Sequence, residues 1–270
     1  MQLHKDHIQI NIERMPNTVF LPGDPARVDE IANYLDDVQL RGNNREYKTI
    51  TGNIGGVPIG VCSTGMGGPS TEIAVIELLQ KGAKQFLRIG TSGALQPDIQ
   101  VGDLVIPTGC IRESGSLSSF VPENYPAVAN HQMVMALIQA CEELNYPYHV
   151  GIGLSVDSFY ATKPHLFPHK DIPTQIAPKM VEYIKSGALQ MEMEAATIMV
   201  LSQIFSMTSA AICTIGSNLV TKKSSATPIT SERAIKVACR SVQILNEWDS
   251  LCAKQEKKFY YPTIERAVKQ

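Results

Sequence analysis

Residues 18–35 read TVFLPGDPARVDEIANYL: a short apolar, β-branched run, a turn rich in glycine and proline, then a stretch with helical spacing. The run suits a buried strand, and Asp24 and Pro25 suit the N-cap and first position of the helix that follows. The same alternation continues along the chain. Strand-like runs recur at 18–21, 58–62, 86–89, 104–107, 149–154 and 209–215, with helix-like stretches at 26–35, 70–82, 131–144, 195–205 and 231–250. This rhythm predicts an α/β fold, a mixed or mostly parallel sheet covered by helices. No low-complexity linker or internal repeat divides the chain, so residues 1–270 are expected to form one domain. The loop-rich segments at about 113–129, 160–178 and 219–230 are expected to act as lids or mobile loops over a site.

Composition narrows the function classes. The 270 residues are 44% hydrophobic, 19% charged and 6% aromatic, with 24 Lys and Arg against 26 Asp and Glu, for a formal charge of -2. That length buries a large core, and the apolar fraction excludes disorder and collagen-like structure. A near-neutral chain is no general nucleic-acid binder, since phosphate contacts need a basic excess. A local basic pocket for one small anion stays open. The N-terminal MQLHKDHIQINIER has no apolar signal-peptide region, and no apolar run approaches the length of a membrane span. The six cysteines are scattered with no C-x-x-C pair, which suits small buried side chains in a reducing cytoplasm.

Four motifs carry the chemistry. In LPGDPAR, Gly23 lets the backbone approach a ligand, the helix start favours an anion, and Arg27 adds a forked donor. An ordinary strand–turn–helix with a surface arginine would look the same. CSTGMGGPST (62–71) again runs from strand to helix, with Ser70 or Thr71 available as caps. FLRIGTSGALQP (86–97) places Arg88 inside an apolar strand and hydroxyls at Thr91 and Ser92 near its end. A buried Arg88 needs an anionic partner, either a ligand or an internal carboxylate. Neither glycine-rich turn fits the Walker A or the G-x-G-x-x-G pattern. In MEMEAATI (191–198), Glu192 and Glu194 lie two apart, so an extended segment points both carboxylates to one side. Their apolar surroundings favour a buried, purposeful carboxylate, of the kind that grips the paired hydroxyls of ribose.

Taken in order, LPGDPAR, CSTGMGGPST, FLRIGTSGALQP, SVDSFY and MEMEAAT resemble the nucleoside phosphorylase-I family, and within it the uridine phosphorylase branch. The resemblance runs from about His7 to the C-terminal helix. It implies a single three-layer α/β domain, its mixed central sheet partly barrel-like and flanked by helices. It also implies a dimer that shares active sites, assembled as a hexamer. The implied reaction is phosphate-dependent cleavage of an N-glycosidic bond, giving (deoxy)ribose 1-phosphate and free base with no cofactor beyond inorganic phosphate as co-substrate.

The resemblance also implies residue roles. Phosphate falls to Gly23, Arg27, Arg88 and Thr91, with Arg45 of NNREY from the neighbouring subunit; Arg27, Arg88 and Glu194 carry catalysis. Ribose falls to Glu194, Met193 and the neighbour's His7. The base falls to Ser92, Gly93, Phe159, Lys163, His165, Glu192, Gly216, Ser217 and Asn218. Glu46, Met66 (through its carbonyl) and Ser70 match a monovalent-cation site at the dimer interface, expected to take K+.

The chain departs from the family at the base. Uridine phosphorylases carry Gln and Arg shortly after the Phe-Tyr pair, whereas FYATKPHLF puts Lys163 and His165 there; a solvated lid loop would explain both residues equally well. The purine-type Ser-Asp signature is also absent, because CTIGSNLVT offers Ser217 and Asn218. Three readings follow: a uridine phosphorylase-like enzyme with altered base preference, a 6-oxopurine nucleoside phosphorylase using Asn218, or a non-catalytic homologue that binds nucleoside or phosphate.

Overall fold

The computed structural model describes residues 6–168, 174–226 and 229–264, with the His165 side chain outside that description. Its elements are β1 (Thr18–Pro22), α1 (Pro25–Ala32), β2 (Asp36–Asn44), β3 (Tyr47–Ile54), β4 (Val57–Cys62), α2 (Gly68–Gln80), β5 (Gln85–Ala94), β6 (Leu104–Glu113), β7 (Ala127–Val128), α3 (His131–Leu144), β8 (Tyr148–Val156), α4 (Ile176–Lys185), β9 (Gln190–Glu192), α5 (Ala195–Ile204), β10 (Thr208–Asn218), β11 (Lys223–Ser224) and α6 (Glu232–Lys254).

The eleven strands form one mixed sheet. Because β10 pairs with both β6 and β5, the strands β5, β10, β6, β8 and β9 close into a five-stranded ring, while β1, β4, β3 and β2 continue from β5 as an open wing. The partly barrel-like sheet expected from the resemblance is therefore present.

Strand β5 belongs to both parts. Its residues Gln85 to Ile89 pair with β1, whereas Gly93 and Ala94 pair with β9 along the same edge. Its other edge runs parallel to β10. Between Ile89 and Gly93 the two neighbours part, leaving a gap beside residues 90–92. Ligand sites in α/β sheets favour such points of strand divergence.

The wing is covered on both faces. Phe20 of β1 joins the apolar cluster containing Val28 and Ile31 of α1, and the flanking Val19 and Leu21 join the cluster containing Val75 and Leu78 of α2. Burial on both faces is why β1 reads as an unbroken apolar run. Helix α5 is buried from Ala195 through Ser202, as its nearly uniform apolar sequence requires.

Several local details differ from the sequence reading. Gly67, not Ser70 or Thr71, is the N-cap of α2, so both hydroxyl residues lie inside the helix. Segment 113–129 holds a 3-10 turn (Ser116–Ser119) and β7, segment 160–178 holds another (Pro164–Leu166) and the start of α4, and segment 219–230 holds β11. Helix α4 is tied back to β6 through Glu113, which accepts from Lys179 Nζ at 3.1 Å and from the Tyr183 hydroxyl.

Candidate active site

The turn after β1 is where the site begins. Asp24 caps α1 by accepting from the Ala26 N–H at 2.9 Å. A Cβ on Gly23 would lie 3.2 Å from the Gly65 carbonyl oxygen and 4.0 Å from Arg88 Nη1, so any larger residue fills the space in front of that guanidinium. Arg27, in the first turn of α1, donates from Nη1 to the Ile89 carbonyl at 3.2 Å. Burial, and next to it the charge of Arg88, hold the Arg27 guanidinium below its usual pKa. The nearby charge of Arg88 makes Arg27 costlier to keep charged, a cost that an anion beside both would relieve.

Arg88 projects from β5 and is 3% exposed. Its Nε donates to Glu192 at 2.7 Å and its Nη2 to Glu194 at 2.5 Å. Burial alone would weaken the charge, but Glu194 and Glu192 outweigh it and raise the pKa. The third nitrogen, Nη1, is buried and has no hydrogen-bond partner among the described residues. Such an orphaned charged donor is costly unless a ligand meets it. Gly90 gives the side chain room: a Cβ there would sit 2.8 Å from Arg88 Nη2. Of the two alternatives for Arg88, the internal carboxylate is present, twice over, and one nitrogen is left over.

The carboxylates divide their work. Glu192, at the end of β9, accepts from the Glu194 and Ala195 N–H groups at 2.8 and 2.9 Å, from Arg88, and from the Ser155 hydroxyl. It anchors the start of α5 and the orientation of Arg88. Glu192 also borders the cavity, and both of its oxygens accept hydrogen bonds within the protein. Glu194 accepts from the Gly67 N–H at 2.6 Å and from Arg88. Burial pushes its carboxyl up, against the pull of Arg88.

These groups border a cavity of about 870 Å³. Gly23, Arg27, Arg88 and Thr91 line it together, as do Met193 and Glu194. Ser92, Gly93, Gly216, Ser217, Phe159 and Lys163 line it as well. The Ser92 hydroxyl donates to Gln190 Oε1 at 2.6 Å. Glu46, Met66 and Ser70 also border the cavity; Ser70 Oγ donates to the Met66 carbonyl at 3.1 Å.

Three assigned residues lie elsewhere. Asn218 does not line the cavity: its Nδ2 donates to the Gln96 and Ile99 carbonyls at 2.8 Å each, and its Oδ1 accepts from the Val220 and Thr221 N–H groups at 2.9 Å each. With the whole amide engaged by backbone, Asn218 is a turn-forming residue, and its assigned role as a base reader is withdrawn. Arg45 stands exposed at the tip of the β2–β3 hairpin. His7 bonds through Nδ1 to Glu77 of α2 at 2.7 Å. The side chain of His165 falls outside the described residues.

The structure adds Ser155, Gln190 and Gly67 as supports for the site, and Ile229 and Val156 to its lining. Ser155 opens the SVDSFY motif and Gln190 precedes MEME, but nothing local in the sequence marks either as a partner. Among the described residues, no group of three or more His, Cys, Asp or Glu could hold a metal ion, and no helix is long and apolar enough to cross a membrane.

Comparison with known proteins identifies relatives of this chain. The family described as the Phosphorylase superfamily matches residues 17–247. The chain is 38% identical over 257 residues to uridine phosphorylase of Thermococcus kodakarensis, covering 95% of this chain and 92% of that protein. It is 36% identical over 248 residues to uridine phosphorylase of Treponema pallidum, covering 90% and 95%. It is 37% identical over 214 residues to guanosine phosphorylase of Halorubrum lacusprofundi, covering 79% and 83%. A match across most of the chain establishes that this protein belongs to the phosphorylase superfamily.

Proposed function

We propose that the protein is a nucleoside phosphorylase of the uridine phosphorylase type, a pentosyltransferase that uses inorganic phosphate to release a free base and (deoxy)ribose 1-phosphate. The observation that carries this reading is the partnerless Arg88 Nη1, which faces the Gly23 turn beside Arg27 and shares its guanidinium with Glu194. A phosphate there meets Arg27, Arg88 and Thr91. Glu194, oriented by Arg88 and the Gly67 N–H, accepts the ribose hydroxyls, with Met193 alongside.

The C1′–N bond breaks with its electron pair passing to the base, and a phosphate oxygen forms the new bond to C1′. The proton that the base finally carries balances the one phosphate gives up. Positive charge builds at C1′ and is stabilised by the phosphate that the arginines hold. Holding both reactants in one cavity removes an entropic barrier worth up to about 7–11 kcal/mol in ideal cases.

A dimer sharing its sites, assembled into a hexamer, completes this reading. Arg45, exposed at a hairpin tip, and His7 are the residues assigned to reach a second copy's site, and the exposure of Arg45 supports that role. The oxygens of Glu46, Met66 and Ser70 border one face of the cavity, a donor set whose chemistry fits a monovalent cation such as K+ with no part in the reaction. Six free cysteines, five of them buried, suit a cytoplasmic setting.

A second reading, phosphorolysis of a 6-oxopurine nucleoside, draws on the similarity to guanosine phosphorylase. Base release from uridine, thymidine, inosine and adenosine, measured with and without phosphate, decides between them. Phosphate-dependent release from uridine supports the first reading and release from inosine alone the second. Tight nucleoside binding without turnover of any of the four would favour a non-catalytic homologue.

A further inference from the structure

The closed ring of strands brings Ser155 to bear on Arg88 through Glu192. Arg88 comes from β5, Glu192 from the end of β9, and Ser155 from β8, where Ser155 and Glu192 are register partners. In an arginine the Nε and Nη2 hydrogens lie on one edge, and a carboxylate with both oxygens free takes that edge as a two-pronged pair. Here the edge is split. Nε donates to Glu192 Oε2 at 2.7 Å, while Nη2 donates to Glu194 Oε2 at 2.5 Å. The other oxygen of Glu192, Oε1, accepts from the Ser155 hydroxyl. Ser155 is fully buried, and its Oγ accepts from the Ala196 N–H at 3.0 Å, which leaves the hydroxyl hydrogen for the carboxylate. Burial pushes the Cys110 thiol beside it well up, so that neighbour stays neutral and is the weaker acceptor.

We propose that Ser155 is a positioning residue that keeps this edge split: by occupying Glu192 Oε1 it prevents Arg88 from closing a two-pronged pair with Glu192, and so holds Nη2 on Glu194. The inference rests on the phosphorolysis reading above, in which Glu194 accepts the ribose hydroxyls and Arg88 Nη1 meets phosphate. Without the hydroxyl, Oε1 is a buried acceptor with nothing to accept, and the donor beside the contact already made is Nη2. Glu194 then keeps the Gly67 N–H of α2 and loses its cation. The charged groups that face Glu194 are Arg88 of β5 and Glu192 of β9; burial pushes its carboxyl up, Arg88 pulls it down and Glu192 pushes it up. Loss of the Arg88 contact therefore raises the pH at which Glu194 takes a proton.

Ser155→Ala tests this with whichever of uridine and inosine the wild type turns over. With phosphate saturating, the nucleoside KM should rise about tenfold or more, the effect of misplacing a group that positions the substrate. With nucleoside saturating, the phosphate KM should stay within about twofold of wild type, because Nη1 keeps its direction. The acid-side fall in kcat/KM for the nucleoside should move to higher pH. A crystal structure of the variant should place both Glu192 oxygens on the Nε–Nη2 edge. Ser155→Cys, a weaker donor of similar size, should give the same pattern to a smaller extent, and carries the test if the alanine variant does not fold.

A loss of stability with both KM values and the acid-side fall unchanged would reduce Ser155 to a cap of α5. Equal rises in both KM values would mean that the whole guanidinium moves, and would overturn the selective effect on Glu194. Nη2 still on Glu194 in the variant's crystal structure would overturn the splitting role outright. Failure of the phosphorolysis reading shows separately, as wild-type enzyme that releases no base from either nucleoside with phosphate present, while the crystal structure still reports the hydrogen bonds of Arg88.

Discussion

At Arg88 one guanidinium is unevenly engaged: two nitrogens bind Glu192 and Glu194, and one faces the Gly23 turn without a partner among the described residues. The two arginines of the site should therefore respond differently to truncation. Arg27 is half-buried and makes one backbone hydrogen bond, so Arg27→Met should leave stability nearly intact. It should raise the phosphate KM about tenfold or more, the loss of a charge-assisted contact. Arg88→Met should also unfold more easily, by about 3–5 kcal/mol in urea titrations, because it strands two buried carboxylates without their cation. Comparable stability losses in both variants would mean that the Glu192–Arg88–Glu194 set does not hold the fold. Arg88 in an apolar strand was a visible anomaly of the sequence. Its partner Glu192 lies 104 residues away, which no local pattern connects.

At the scale of elements, α2 binds the N-terminal strap as well as the site. Glu77 of α2 accepts the N–H groups of His7 and Ile8 at 3.0 and 2.8 Å, and Ile8 is fully buried. Burial pushes the Glu77 carboxyl up, but those N–H groups and the His7 ring outweigh it and hold it below the usual value. A folded-state pKa below the unfolded one gives stability that is present above the unfolded value, near about 4.3, and is lost as pH falls through the folded value. The strap should stay docked at neutral pH and release only in acid. Protection of the Ile8 amide against hydrogen exchange should fall below about pH 4 in the wild type and show no such step in Glu77→Gln. Protection unchanged across that range in the wild type would refute the docking role of Glu77. Elements were legible where burial imposes a period or an unbroken apolar run, as in β1, β5 and α5. Strand β2 was not legible, because DDVQL is exposed along its length and carries no alternation to read. The three residues of β9 were too short to show a pattern, yet they place Glu192.

At the scale of the whole molecule, the proposed shared-site assembly makes a prediction that a self-contained site does not. Arg45→Ala and Glu194→Ala should each be nearly inactive alone. Co-expressed, they should regain activity, since a mixed dimer contains one site with both native residues. Absence of activity where native mass spectrometry shows mixed oligomers would place each complete site within one chain. The sequence by itself determined the α/β class, the family and many of the residues that line the cavity, because buried strands, helix caps and glycine turns are local demands that leave local marks. Tertiary structure decided what those parts do. It closed β5, β10, β6, β8 and β9 into a ring, parted β1 from β9 beside residues 90–92, and engaged Asn218 with backbone while leaving Arg88 Nη1 and Lys163 without carboxylates among the described residues. Those outcomes depend on which distant groups meet in a low-dielectric interior, and the meeting of residues more than 100 positions apart is a property of the packed sheet.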